Sequence, residues 1–189
     1  GLPFVDVTNT AAGVTYDLSL YAVGGSNNVN VVGTMTVSNT ANGAIAPFAA
    51  ARTWTTPALP LSVGPNVLVV RGTNAYGTAS SDTVIITRGA AGTGTPYLDL
   101  TGALSSVTYD TAQYAVAGTN NANVVGGMSV SNTANGQHLG FAAAQGWTAP
   151  ALALEVGVNT ITVYGTNAFG VLVTDAAVIT RGIPGTGVP

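Results

Sequence analysis

Shifted by 93 residues, this chain matches itself without a gap: Gly94 falls on Gly1, and more than half of the paired positions are identical. Pro3-Phe4-Val5-Asp6 falls on Pro96-Tyr97-Leu98-Asp99, and Val14-Thr15-Tyr16-Asp17 on Val107-Thr108-Tyr109-Asp110. The run Met35 to Gly43 returns as Met128 to Gly136, and Gly72-Thr73-Asn74-Ala75 as Gly165-Thr166-Asn167-Ala168. Agreement of this kind is a duplication, so whatever fold the chain adopts must close within one unit and occur twice. We place the units at residues 1–91 and 92–189, with a linker over 89–96 whose sequence returns over 182–189. The elements Gly1-Leu2-Pro3, Gly94-Thr95-Pro96 and Gly187-Val188-Pro189 share one G-x-P pattern, so the chain stops where a third unit would begin. Two expectations follow: a piece of a longer array, or units that join end to end.

Comparing the copies shows which positions are constrained. In Val67 to Arg71 against Thr160 to Tyr164, Leu68/Ile161 and Val70/Val163 stay apolar while the positions between them drift. That period of two marks a strand with one face in a core. Tyr21 and Val23, and Met35 and Val37, behave in the same way. Asn39 to Gly43 and Asn74 to Gly77 supply the residues that turns require. Helical periodicity is absent, and Ala49 to Ala51 make at most one turn. The reading is all-β: about seven short strands per unit in a two-sheet sandwich, with the two sandwiches joined by a short Gly-rich linker.

The segment Leu61-x-Val63-Gly64-x-Asn66, then Val70-x-Gly72-Thr73-Asn74-x-x-Gly77, closing on Ser81-Asp82 and Ile86-Thr87-Arg88, resembles the last strands of bacterial immunoglobulin-like repeats. The resemblance covers both copies. It implies tandem Ig-like domains of large secreted or surface proteins, and hence an extracellular or cell-surface location. The disulfide of antibody-type domains is missing, because the chain has no cysteine. Trp54 and Trp147 come late in the unit for the usual core tryptophan.

Charge limits the partners. Only 6% of residues are charged, against roughly 25% in ordinary domains. The four basic residues are Arg52, Arg71, Arg88 and Arg181. Nucleic-acid binding needs clustered cations, so it is not expected. No apolar run is long enough to insert into a membrane. No leader with a charged start and an apolar stretch is present. A surface this neutral is buried in an assembly, covered by glycans, or simply polar. Asn-x-Ser/Thr sequons are absent, whereas Thr8, Thr10, Thr93 and Thr95 are candidates for O-glycosylation. The plain alternative is that threonine suits strands.

Chemistry is sparse, and no enzyme is expected. His138 is the single histidine, stands opposite Ile45 of the first copy, and lacks a local motif, so packing or solvation accounts for it. Asp6, Asp17, Asp99 and Asp110 are weak calcium candidates together with the Asn27 or Asn30 carbonyls, but calcium needs six or more oxygens. The alternative is that these acids and Asp82/Asp175 accept turn hydrogen bonds or pair with Arg88/Arg181. No cofactor motif appears.

Surface candidates are few. Ile85 and Val178 should point outward between inward neighbours, yet both are apolar; Val31/Val124 and Val32/Val125 read as apolar on both faces of a strand. Such faces are covered by a neighbour unless the register is mis-set. The first strand, Phe4 and Val5 in one copy and Tyr97 and Leu98 in the other, is set off from the rest and is a candidate for pairing with the preceding domain. Tyr76 and Phe169, in the last turn, are candidates for stacking on a sugar, against packing on an adjacent loop or linker. The functional expectation is a structural repeat of an extracellular stalk, fibre or filament that assembles with itself or its neighbours. The alternative is an adhesin or carbohydrate-binding module with glycan partners.

Overall fold

A computed structural model describes residues 1–185. The chain divides into two compact units, Gly1–Ala90 and Ala91–Pro189. The first has ten strands: β1 (Val5–Val7), β2 (Ala12–Val14), β3 (Leu20–Tyr21), β4 (Gly24–Asn27), β5 (Thr34–Asn39), β6 (Ile45–Ala49), β7 (Thr53–Thr55), β8 (Leu59–Pro60), β9 (Gly64–Thr73) and β10 (Ala79–Arg88). The second repeats them: β11 (Leu98–Thr101), β12 (Ser106–Val107), β13 (Gln113–Tyr114), β14 (Ala117–Asn120), β15 (Gly127–Asn132), β16 (Gln137–Ala142), β17 (Gly146–Thr148), β18 (Leu152–Ala153), β19 (Gly157–Thr166) and β20 (Leu172–Arg181). The tally exceeds the seven expected because the first strand splits in two and a two-residue pair, β3 with β8, closes one side. No helix occurs among the described residues.

In unit 1, β1-β4-β7 form one sheet and β2-β10-β9-β5-β6 the other. Strand β1 runs antiparallel to β4, and the chain then crosses so that β2 runs parallel to β10. Unit 2 has the same order, β11-β14-β17 and β12-β20-β19-β15-β16. Alternation places Leu68, Val70, Ile86, Met35 and Val37 inward, each essentially without solvent exposure. Ile161, Val163, Ile179, Met128 and Val130 repeat them.

Both tryptophans are core residues. Trp54 on β7 lies across Gly25 of β4, and Phe48 leans on it at 5.6 Å between ring centroids. A side chain at Gly25 would overlap both the Trp54 ring and the Asp6 carbonyl oxygen, so glycine is what lets the indole lie flat against the sheet. Gly118 serves Trp147 identically.

A polar network runs through this apolar interior. Asn39 and Asn66 are fully buried, and Asn39 Nδ2 donates to Asn66 Oδ1 and to the Pro60 carbonyl, each at 2.8 Å. Asn66 Oδ1 also accepts from Ser62 N at 2.8 Å, and its Nδ2 donates to the carbonyls of Ser62, Gly64 and Ile86. Two carboxamides thus satisfy the backbone where β8 turns into β9 and where β5 ends. Asn132 and Asn159 repeat the arrangement in unit 2.

Arg88 fastens the end of β10. Its Nε and Nη2 donate to the Tyr16 carbonyl, Nη1 donates to the Leu61 carbonyl at 3.0 Å, and the guanidinium lies 4.6 Å from the Tyr16 ring centroid. Arg181 does the same with Tyr109 and Leu154. A lysine offers neither the planar fork nor the stacking face, so Arg88→Lys should cost unit 1 about 1–2 kcal/mol in thermal unfolding. An unchanged melting point would refute this role.

Candidate interaction surfaces

At one end of unit 1 three asparagines hold the start of the chain. Asn28 Nδ2 and Asn30 Nδ2 both donate to the Leu2 carbonyl at 2.9 Å, and Asn74 Nδ2 donates to the Gly1 carbonyl at 3.0 Å. Asn28 Oδ1 accepts from Phe4 N, and Asn28 N donates to the Phe4 carbonyl. The G-x-P element is therefore a bound part of the sandwich. Around it the end is apolar and open: Leu2, Phe4, Val29, Val32 and Tyr76 are all exposed, Tyr76 by 89%.

Unit 2 holds its own G-x-P element with the same residues. Asn121 and Asn123 donate to the Thr95 carbonyl, and Asn167 donates to that of Gly94. Here the grip extends further back. Asn123 Oδ1 accepts from Gly92 N at 3.3 Å and Gly94 N at 3.0 Å, and Ala168 N donates to the Gly92 carbonyl at 3.0 Å. Composition alone predicts bending over 89–96; in fact Gly92, Gly94 and Thr95 are fixed within unit 2 by hydrogen bonds. The pattern Asn28-x-Asn30, identical at Asn121-x-Asn123, was the available signal, and it reads as an ordinary turn.

The sequence candidates distribute unevenly. Val5 and Leu98 are corrected: they are 4% and 5% exposed, because β1 and β11 turn these side chains into their own cores. Strand donation by β1 is corrected as well. Besides pairing with β4, β1 has Val5 N on Ser80 Oγ and Val7 N on Asp82 Oδ2, so both outward N–H groups are taken. Phe4 and Tyr97, next to these strands, are each 58% exposed. Tyr76 and Phe169 project from the hairpin tips at 89% and 72% exposure, so neither ring packs on a loop of its own unit. Asn74 Oδ1 and Asn167 Oδ1 each fold the tip by accepting two N–H groups.

Ile85 and Val178 point outward, 47% and 55% exposed. Ile85 stands beside half-buried Val67 on the outer face of the five-stranded sheet. Val31 and Val32 lie in a loop and not on a two-faced strand; Val31 is buried and Val32 exposed. On the corresponding sheet of unit 2 His138 and Tyr164 stand 6.2 Å apart, where unit 1 has Ile45 and Arg71. They line a shallow hollow with Ser129, Thr166 and Leu172.

Asp82 and Asp175 serve the backbone: Asp82 accepts from Val7 N and Thr83 N, and Asp175 from Leu100 N and Ala176 N, while Arg88 and Arg181 bind carbonyls; of the two options for these acids, backbone hydrogen bonds hold and pairing with Arg88 or Arg181 does not. Asp6 stands on β1 and Asp17 in the turn after β2, on elements of different sheets; Asp99 and Asp110 repeat them. Among the described residues no group of three or more His, Cys, Asp or Glu could hold a metal ion. Thr8, Thr10 and Thr95 are exposed and Thr93 is half-buried. No described helix is long and apolar enough to cross a membrane.

The order β1-β4-β7 against β10-β9-β5, with the first strand shared between sheets, is that of the A–B–E and G–F–C strands of antibody domains. Each unit is an immunoglobulin-like sandwich. No family model matches the chain, and no curated protein does. Solved structures do resemble this Ig-like pair. The fibronectin(III)-like modules of Clostridium thermocellum CbhA align at 13% identity and a TM-score of 0.39, over 96% of this chain and 94% of theirs. The IG1+IG2 pair of DIP-gamma aligns at 8% and 0.42, over 97% and 99%. A chain from a structure concerned with a 1.5-MDa bacterial ice-binding adhesin aligns at 15% and 0.35, over 95% of this chain and 64% of that one.

Proposed function

We propose that the chain is a structural repeat segment of an extended extracellular stalk, fibre or filament, in which Ig-like units follow one another through the G-x-P element. What carries the reading is the set of three asparagines that grips this element in both units. A sequence kept three times along the chain has, at the two places described, a dedicated binding surface. The partners are further copies of the same repeat. The open apolar residues Leu2, Phe4, Val29 and Tyr76, and outward Ile85 and Val178, are the surfaces such an assembly would cover. Electron microscopy of the purified protein, with light scattering across a wide concentration range, tests the proposal. Extended strings or filaments are expected. Compact single particles at every concentration would defeat it.

A second reading, an adhesin or carbohydrate-binding module, is favoured by one observation: Tyr76 and Phe169 are held at the hairpin tips with their rings in solvent. An aromatic face held out in this way suits stacking on a sugar ring. Binding on a glycan array that disappears in Tyr76→Ala with Phe169→Ala would establish it, and a blank array would remove it. O-glycosylation at Thr8, Thr10 or Thr95 is read directly from intact mass.

A further inference from the structure

Unit 2 has an open sheet edge at a place where unit 1 is closed. Strand β16 is outermost in its five-stranded sheet and pairs on one side only, with β15. Beyond its end, Ala143 N donates to the Gly126 carbonyl. Antiparallel bonding alternates along a strand, so Phe141, Leu139 and Gln137 bond to β15. His138, Gly140 and Ala142 turn their N–H and C=O groups away from it. All three residues are exposed, and no partner for their amides occurs among the described residues. The same count in unit 1, from Ala50 N on the Gly33 carbonyl, gives Ile45, Pro47 and Ala49 as the outward row of β6. Pro47 removes the middle donor and puts its ring at the edge, one of the ways in which an exposed strand is protected. Unit 2 has Gly140 there. Packing does not demand that glycine: its φ is not positive, and the nearest atom to an added Cβ is the Met128 carbonyl oxygen at 3.8 Å. Charge does not guard the edge either, since β15 and β16 contain no Asp, Glu, Lys or Arg.

We propose that β16 pairs antiparallel with β16 of a second copy of this chain, about a two-fold axis at Gly140. The pattern of the edge selects this occupant, because it is self-complementary. The outward row is centred on Gly140, so the axis sets Gly140 against Gly140 and His138 of each copy against Ala142 of the other. Each of these pairs exchanges two N–H to carbonyl bonds, and the whole row is satisfied. The residues between complete the match. Leu139 and Phe141 face inward, half-buried against their own core. The axis lays Leu139 of each copy beside Phe141 of the other, at the closer positions where side chains meet across strands. Unit 1 has only Ala46 at the place of Leu139. The two copies thus differ at adjacent positions, Ala46-Pro47 against Leu139-Gly140, and both differences favour pairing through unit 2. The pairing is lateral, joining two five-stranded sheets into one, and does not depend on the array reading.

Sedimentation equilibrium of the whole chain, from micromolar to millimolar concentration, tests the pairing. The mass should rise from that of one chain toward that of two. Gly140→Pro gives β16 the residue that β6 already carries in a folded sandwich, and it should abolish this rise. Leu139→Ala, again the residue of unit 1, should weaken it. Hydrogen exchange on the unaltered chain needs no variant: the His138, Gly140 and Ala142 amides should exchange roughly tenfold more slowly at the highest concentration than at the lowest, while those of Ile45 and Ala49 stay unchanged. A single-chain mass throughout overturns the pairing and leaves the edge to a strand of some other protein. Association that Gly140→Pro leaves undiminished overturns it too, as do dimers in which the three amides stay unprotected. Filaments that form equally well from Gly140→Pro would reject the pairing and keep the array reading. Dimers lost in Gly140→Pro, with no longer assembly at any concentration, would do the reverse.

Discussion

Asn66→Ala is expected to lower the melting transition of unit 1 by about 15–25 °C, corresponding to about 3–4 kcal/mol for a domain of this size. The side chain is fully buried and makes five hydrogen bonds, to Asn39, Ser62, Gly64 and Ile86. Truncation removes the acceptor of one Asn39 Nδ2 proton and of the Ser62 N–H, and the donor to the Ser62, Gly64 and Ile86 carbonyls, with the Asn39 and Ile86 contacts fully buried. Asn66→Asp should be at least as damaging, because a carboxylate would then face three carbonyl oxygens to which Nδ2 now donates. Asn159→Ala should act in the same way on unit 2. Differential scanning calorimetry distinguishes these outcomes, and a shift of only two or three degrees for Asn66→Ala would show that the network is dispensable.

Gly25→Ala is expected to cost unit 1 about 3 kcal/mol or more, at the upper end of overpacking effects. The added methyl would overlap the Asp6 carbonyl on one neighbouring strand and the Trp54 ring on the other, so relief requires one of them to move. Removing the ring should recover only part of the loss: Gly25→Ala combined with Trp54→Leu still leaves the methyl against the β1 backbone. Gly13→Ala is the control, since a Cβ there meets nothing within 4 Å and the residue needs no left-handed conformation. Urea titration gives all three values. Equal stability of Gly25→Ala and Gly13→Ala would mean that the Trp54 seat is loose.

Strand periodicity made the large sheet readable, because β9 and β10 are each ten residues long and the duplicate filters out the drifting face. Three residues of β1 are too few for a period to show, so Val5 and Leu98 read as surface when they are core. Asn39 and Asn66 sit among turn residues, where asparagine already has a local reason to occur, and nothing in the sequence says that the carboxamide points inward. The place of Trp54 depends on Gly25, 29 positions away, and that pairing exists only once the three-stranded sheet has formed. Ile85 and Tyr76 were legible as odd residues on a surface.

The fully buried polar groups of each unit, Asn39 and Asn66 or Asn132 and Asn159, are carboxamides, and carboxamides neither titrate nor recruit counterions. That buried network therefore owes little to acidity or salinity, the two variables that fluctuate most where a molecule has no cell to buffer it. A stalk or fibre assembled from such units, as proposed, would carry this network unchanged through brackish or freshly diluted surroundings.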